Sequence, residues 1–192
     1  MTHGQREWSY DVFPCPIDLC ELLLDVSILY KASENNHASE ADRLDQARTL
    51  LHSLHRWTYG DLPTDEPRTH LIEAWRLGIM AYAWRLFPRV HRSPGIEPSP
   101  VTDRLFYHAT SIALATSASY ASLWPIFQVA VSLDDDAVDK KAWVRNYLQV
   151  ALGTVGCRHF SNALEALEIV WEQRGSHGVP VTGTYGRTIM LG

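Results

Sequence analysis

Apolar residues recur three and four apart along nearly the whole of this 192-residue chain. No stretch before the C-terminal tail alternates apolar and polar residues as a half-buried strand does. That spacing is the strongest constraint on the fold. It gathers apolar side chains on one stripe of a helix, but would scatter them over both faces of a strand. Glycine and proline punctuate the pattern: "TYGDLPTDEP" (58–67) and "SPGIEPSP" (93–100) read as loops.

Seven helical segments follow from the spacing. "PIDLCELLLDVSILYKA" opens with Pro16 in a first-turn position and places Leu19, Leu22, Leu23, Val26 and Leu29 on one side. Ser39 is the N-cap expected for "EADRLDQARTLLHSLHRW", whose apolar face is Leu44, Ala47, Leu51 and Leu54. A long helix runs from about Arg68 to Phe87. "VTDRLFYHATSIALATSA" is expected to be one helix, with Leu105, Ala109, Ile112 and Ala113 against a close neighbour. "LWPIFQVAVSL" follows, with Pro125 at a helix start. A helix from about Ala137 to Leu152 is broken by Gly153 and Gly156. The last, about His159 to Gln173, is ended by Gly175. The expected fold is all-α, a single irregular bundle of about seven helices over residues 1–175. A Gly-rich tail covers 176–192.

Hydrophobic residues make up 46% of the chain, enough for a sizeable core, and the net charge is −5. No basic stripe suited to nucleic acid is visible. Arg85, Arg89, His91 and Arg92 come closest and read as a helix C-terminus with its following loop. Three cysteines, Cys15, Cys20 and Cys157, do not suggest a disulfide scaffold. Residues 1–11 lack an apolar signal core, and no run of 18 apolar residues occurs. The expected location is the nucleus or cytoplasm, with no membrane contact.

"SLDDDAVDKK" contains Asp135, Asp136 and Asp139 as D-D-x-x-D. That spacing is similar to the magnesium-binding motif of helical terpene synthases. Such enzymes need a second motif, and the nearest stretch, Asn35, Asn36 and Ser39, has Arg43 where a glutamate is required. The aspartates are therefore read as the cap of the next helix, with about 1 kcal/mol at stake in Asp136. His52 and His55 lack a third ligand and read as a helix face. Cys157 reads as a small buried thiol, although it begins a helix. No metal and no cofactor is expected.

Seven tryptophans and eight tyrosines are generous for this length. Most serve the core, but helical bundles also hold ligands among aromatic side chains. Trp75, Tyr82, Trp124 and Trp143 are the ligand-binding candidates. His108, Tyr107, Tyr82 and Tyr147 are the catalytic candidates, should the chain be an enzyme.

The order of segments resembles the C-terminal regulatory domain of fungal-specific transcription factors with a zinc binuclear cluster. Three stretches carry the resemblance: "PIDLCELLLDVSILYKA", "SLWPIFQVAVSLDDD" and "AWVRNYLQVALGTVGCRHFSNALEALEIVWEQRG". It covers about Ile17 to Gly175. It implies a regulatory protein that contacts a small apolar ligand or a protein partner, with secondary-metabolite gene clusters as the setting. In the family, six cysteines around two zinc ions contact DNA. Three dispersed cysteines cannot hold that cluster, so no direct DNA binding by this chain is expected. A repurposed secondary-metabolism enzyme, a cyclase or pericyclase with an aromatic-lined cavity, is the alternative.

Overall fold

The computed structural model describes residues 15–34, 39–59, 66–92 and 98–177, and of the tail expected over 176–192, residues 178–192 lie outside them. Eight α-helices and one 3₁₀ turn make up an all-α bundle, with no strand among the described residues. They are α1 (Ile17–Glu34), α2 (Glu40–Arg56), α3 (Pro67–Leu86), the 3₁₀ turn (Pro88–Arg92), α4 (Pro98–Ser111), α5 (Ser117–Ala121), α6 (Leu123–Ala130), α7 (Val138–Val155) and α8 (Arg158–His177).

Two helices form the interior. α3 is buried nearly all round from His70 to Trp84, and touches α1, α2, α4, α5 and α6. α6 buries every residue from Pro125 to Ala130 and also touches α4, α5, α7 and α8. A helix that is apolar on all sides belongs in the middle of a bundle. α3 and α6 meet at Gly78. A Cβ built there would lie 2.7 Å from Pro125 Cα and 2.9 Å from Pro125 Cβ. Pro125 itself fits because it sits in the first turn of α6, where its missing N–H has no helical carbonyl to lose.

Hydrogen bonds from the core tie the short helices down. Trp75 Nε1 donates to Ala121 O (3.1 Å) and Trp171 Nε1 to Ala130 O (2.8 Å), which takes up a carbonyl at the C-terminus of α6. Tyr147 Oη and Ser122 Oγ both donate to Ser119 O, at 2.6 and 2.7 Å. Buried Arg76 donates to Leu54 O (3.1 Å) and His55 O (3.4 Å) at the C-terminal end of α2, and pairs with Glu73. A guanidinium at a helix C-terminus meets the negative end of the backbone dipole.

Several boundaries differ from the sequence expectation. Residues 101–118 are not one helix. Thr110 and Ser111 bond back to the carbonyls of Phe106 and Tyr107, α4 stops at Ser111, and Ala115 takes φ 61°. Thr116 then caps α5, its Oγ1 accepting from Ser119 N–H (3.2 Å), and Ala113 is exposed. Gly153 sits inside α7, and only Gly156, at φ 69°, ends it. α8 continues past Gly175 to His177. Ser39 caps α2 as expected, its Oγ accepting from Asp42 N–H (3.2 Å).

The aspartates of 134–136 do not cap α7 with their side chains. The N-cap is Ala137, and no side-chain capping bond forms. The backbone carbonyls of Asp134 and Asp136 take the amides of Ala137 and Val138 instead, and the Asp135 carboxylate reaches Lys141 Nζ (3.3 Å). That ammonium is buried over the Trp171 ring, so Asp135 neutralises it. The expected stability cost moves accordingly. In urea denaturation, Asp136→Ala is expected to change stability by less than about 0.5 kcal/mol. Gly78→Ala is expected to lose about 1–3 kcal/mol, because the backbones of α3 and α6 must separate.

Candidate functional site

α3 approaches the surface at its two ends, and most of the sequence-derived candidates fall there. Toward its C-terminus, Tyr82, Arg85 and Leu86 are half-buried while their neighbours on α3 are buried. Toward its N-terminus, Arg68, Thr69 and Glu73 are half-buried.

The C-terminal end faces α6 and is aromatic. Trp75 lies beneath it, stacked on Trp124 with ring centroids 5.2 Å apart and planes 9° apart. Tyr82 meets Trp124 edge to face at 5.8 Å. The Arg85 guanidinium lies over the Tyr82 ring at 5.5 Å and donates to the side chain of buried Gln128. Trp124 and Tyr82 are half-buried, whereas Trp75 is buried. The face thus offers one indole and one phenol ring held rigidly from below, with a cation at the edge. Such a surface can take an apolar or aromatic group by stacking and a carboxylate at its rim.

The N-terminal end faces α4 and is polar. His70 Nδ1 and His108 Nδ1 lie 3.0 Å apart, so one ring donates to the other. Tyr107 packs against both rings and is 62% exposed. Burial pushes the His108 pKa down to about 4; Glu73 opposes this, while His70, Arg104 and Arg76 add to it. His108 is therefore neutral at pH 7.

Of the remaining candidates, Tyr147 is in the core and Trp143 is half-buried against it. Trp143 stacks on Tyr147 at 5.5 Å and meets Phe106 edge to face at 5.6 Å. Tyr147 is buried with its hydroxyl held by Ser119 O, and burial raises its pKa beyond the ordinary tyrosine range. Trp75, Tyr82 and Trp124 thus come together, Tyr107 and His108 form a second group, and Trp143 and Tyr147 a third. His52 and His55 are exposed on α2. Among the described residues, no three His, Cys, Asp or Glu are placed to hold a metal ion.

Three partners escaped the sequence reading. Gln128 is the lone polar side chain in "LWPIFQVAV", a signal that a buried partner such as Arg85 must exist. His70 gave no signal, because its partner is 38 residues away. His159 lies two residues from Cys157, with Nδ1 2.9 Å from Sγ. That hydrogen bond pulls the thiol pKa down, and Cys157 is half-buried at the start of α8 rather than enclosed.

The His108 shift has a definite sign. The folded pKa lies below the ordinary 6.5, so between pH 6.5 and about 4 the unfolded chain binds a proton that the folded chain refuses. Stability is expected to fall as pH drops through that window and to level off below it. Urea midpoints at pH 7 and pH 4.5 check this: the difference should shrink in His108→Gln.

The family model described as the fungal specific transcription factor domain matches residues 5–189. No curated protein and no solved structure matches the chain. Among the described residues, no helix is long and apolar enough to cross a membrane. With a match over nearly its whole length, on the all-α bundle described above, this chain belongs to the fungal specific transcription factor domain family.

Proposed function

We propose that this protein regulates transcription through a partner or small apolar ligand that docks on the aromatic face between α3 and α6. The observation that carries the reading is the graded burial of Trp75, Trp124 and Tyr82. The innermost ring is enclosed and the outer two are reachable. Core packing alone has no need of an exposed edge with a cation beside it. Aromatic and arginine side chains anchored in this way are the usual centres of binding energy at protein contacts.

The output runs through contacts rather than through a zinc cluster in this chain. Three free cysteines, Cys15, Cys20 and Cys157, are too few for the six-thiolate arrangement that holds two zinc ions. The proposed setting is control of a fungal secondary-metabolite gene cluster, from the nucleus or cytoplasm, and it rests on family membership. Among the candidates of the enzymatic alternative, Tyr107 and His108 lie together, while Tyr82 and Tyr147 belong to two other aromatic groups.

Deletion of the gene with joint transcript and metabolite profiling tests the reading. Transcripts across one gene cluster are expected to fall and to return with the wild-type gene. Tyr82→Ala, checked for folding by circular dichroism, is expected to restore them only in part. Intact transcripts with a single accumulated intermediate would instead establish an enzyme.

A further inference from the structure

The chain enters α1 through two cysteines that face each other across the first turn. The N–H of Cys20 donates to Pro16 O at 3.0 Å, which makes Pro16 the N-cap of α1 and Cys20 its fourth residue. Cys15 stands immediately before the cap. These two positions form the hydrophobic staple, the pair of side chains that meet where a chain turns into a helix.

The sulfur atoms follow this geometry. Cys20 Sγ donates to Cys15 O at 3.9 Å, and Cys15 Sγ donates to Pro16 O at 3.5 Å, so both thiols lie against the same two peptide carbonyls. Their surroundings differ. Cys15 is 1% exposed and belongs to the core, whereas Cys20 is half-buried at its edge. The Cys15 side chain, as a hydrogen-bond partner, pulls the Cys20 pKa down, and burial pushes that of Cys15 up. One sulfur is thus reachable and readily ionised, and the other is enclosed beside it. Reactive thiols are of the first kind, and a resolving thiol needs only to be adjacent. Cys157 differs, since it is paired with His159 rather than with a second thiol.

We propose that Cys15 and Cys20 form a redox-modification site, at which a hydroperoxide oxidises the pair to a disulfide across the first turn of α1. The Cys20 thiolate attacks the peroxide, the O–O bond breaks, and Cys20 becomes a sulfenic acid as hydroxide leaves. The hydroxide takes up the proton that Cys20 released. The Cys15 sulfur then displaces the Cys20 hydroxyl. An S–S bond forms, the S–O bond breaks, and the Cys15 proton leaves with the hydroxyl as water. The two thiols lose two electrons, and the peroxide gains them and ends as two waters. A dithiol reductant reverses the step by exchange. The bridge replaces a contact that already exists, so α1 keeps its place on α2 and α3 while its first turn is pinned.

Peptide mapping of the full chain tests this without any substitution. Reduced protein is treated with hydrogen peroxide, its remaining thiols are alkylated in denaturant, and the chain is cut before each aspartate. Asp18 separates the two cysteines, onto peptides 11–17 and 18–24. The alkylated forms of both peptides are expected to fall in step, each by more than about half, giving one linked species that dithiothreitol resolves. Enclosed Cys15, acting alone, would be the last thiol to react, so its loss in step with Cys20 is the signature of the pair. In Cys15→Ala, peptide 18–24 is expected to carry a dimedone adduct instead, the mark of a sulfenic acid with no second thiol to resolve it. Oxidation of peptide 18–24 alone in the unsubstituted chain would overturn the proposal. So would its linkage to another copy, or a Cys15–Cys20 pair that survives peroxide while Cys157 is consumed.

Discussion

The approach of α3 to α6 at Gly78 and Pro125 sets the arrangement of the other helices. Two helices normally stay apart by the thickness of the side chains between them. Here one has no side chain at the contact, and the other offers a proline ring in a first turn that does not need its N–H. The backbones come close enough that both helices can be enclosed at once. α1, α2 and α4 then cover the free sides of α3, while α7 and α8 cover α6. A Cβ at position 78 would widen this central contact and loosen both shells together.

Enclosing two helices creates a polar problem that outer helices do not have. Every donor on a buried helix must find a partner within the protein. Two cations of α3 meet part of it while linking elements, and a third does the same on α7. Arg76 of α3 reaches the C-terminal carbonyls of α2, Arg85 of α3 reaches Gln128 of α6, and Lys141 of α7 sits over Trp171 of α8 and pairs with Asp135. Removing one partner would strand a charge or an amide at low dielectric, which costs more than the bond itself contributes. The tryptophan nitrogens do similar work for the short helices, since Trp75 and Trp171 each take a backbone carbonyl beside α6.

Sequence periodicity read the helices well and their ends less well. Long amphipathic stripes such as Leu51 and Leu54, or Phe160, Ala163 and Leu167, declare which side is inside, and these residues are buried. Starts that depend on a side chain were legible where a serine precedes acidic residues, as at Ser39. The break at 112–116 was not legible, because alanine in a left-handed conformation carries no compositional mark. Nor was the fate of Asp134–Asp136, where backbone carbonyls took the role assigned to carboxylates. At the candidate site, Trp75, Tyr82 and Trp124 were visible as aromatics at helical spacing. Their stacking, and the His70–His108 contact, depend on how distant segments meet, which one sequence does not encode locally.

The same enclosure limits where regulation can act. α3 and α6 retain almost no exposed surface, so a partner cannot read them along their length. It can reach α3 only near its ends: the aromatic face beside Trp124 and the polar cluster beside His108. Of the two, the polar cluster is committed internally, since His70 and His108 bond each other and Glu73 serves Arg76. The rings of the aromatic face support one another from the core outward, and Trp124 and Tyr82 stay half-buried. Beneath them lies Trp75, whose indole nitrogen holds Ala121 at the junction of α5 and α6. The aromatic face is thus tied by a hydrogen bond to the short helices around Ser119 and Ser122. The Tyr147 hydroxyl on Ser119 O ties the same short helices to α7, so the aromatic face, α5, α6 and α7 are held by one run of hydrogen bonds to backbone carbonyls.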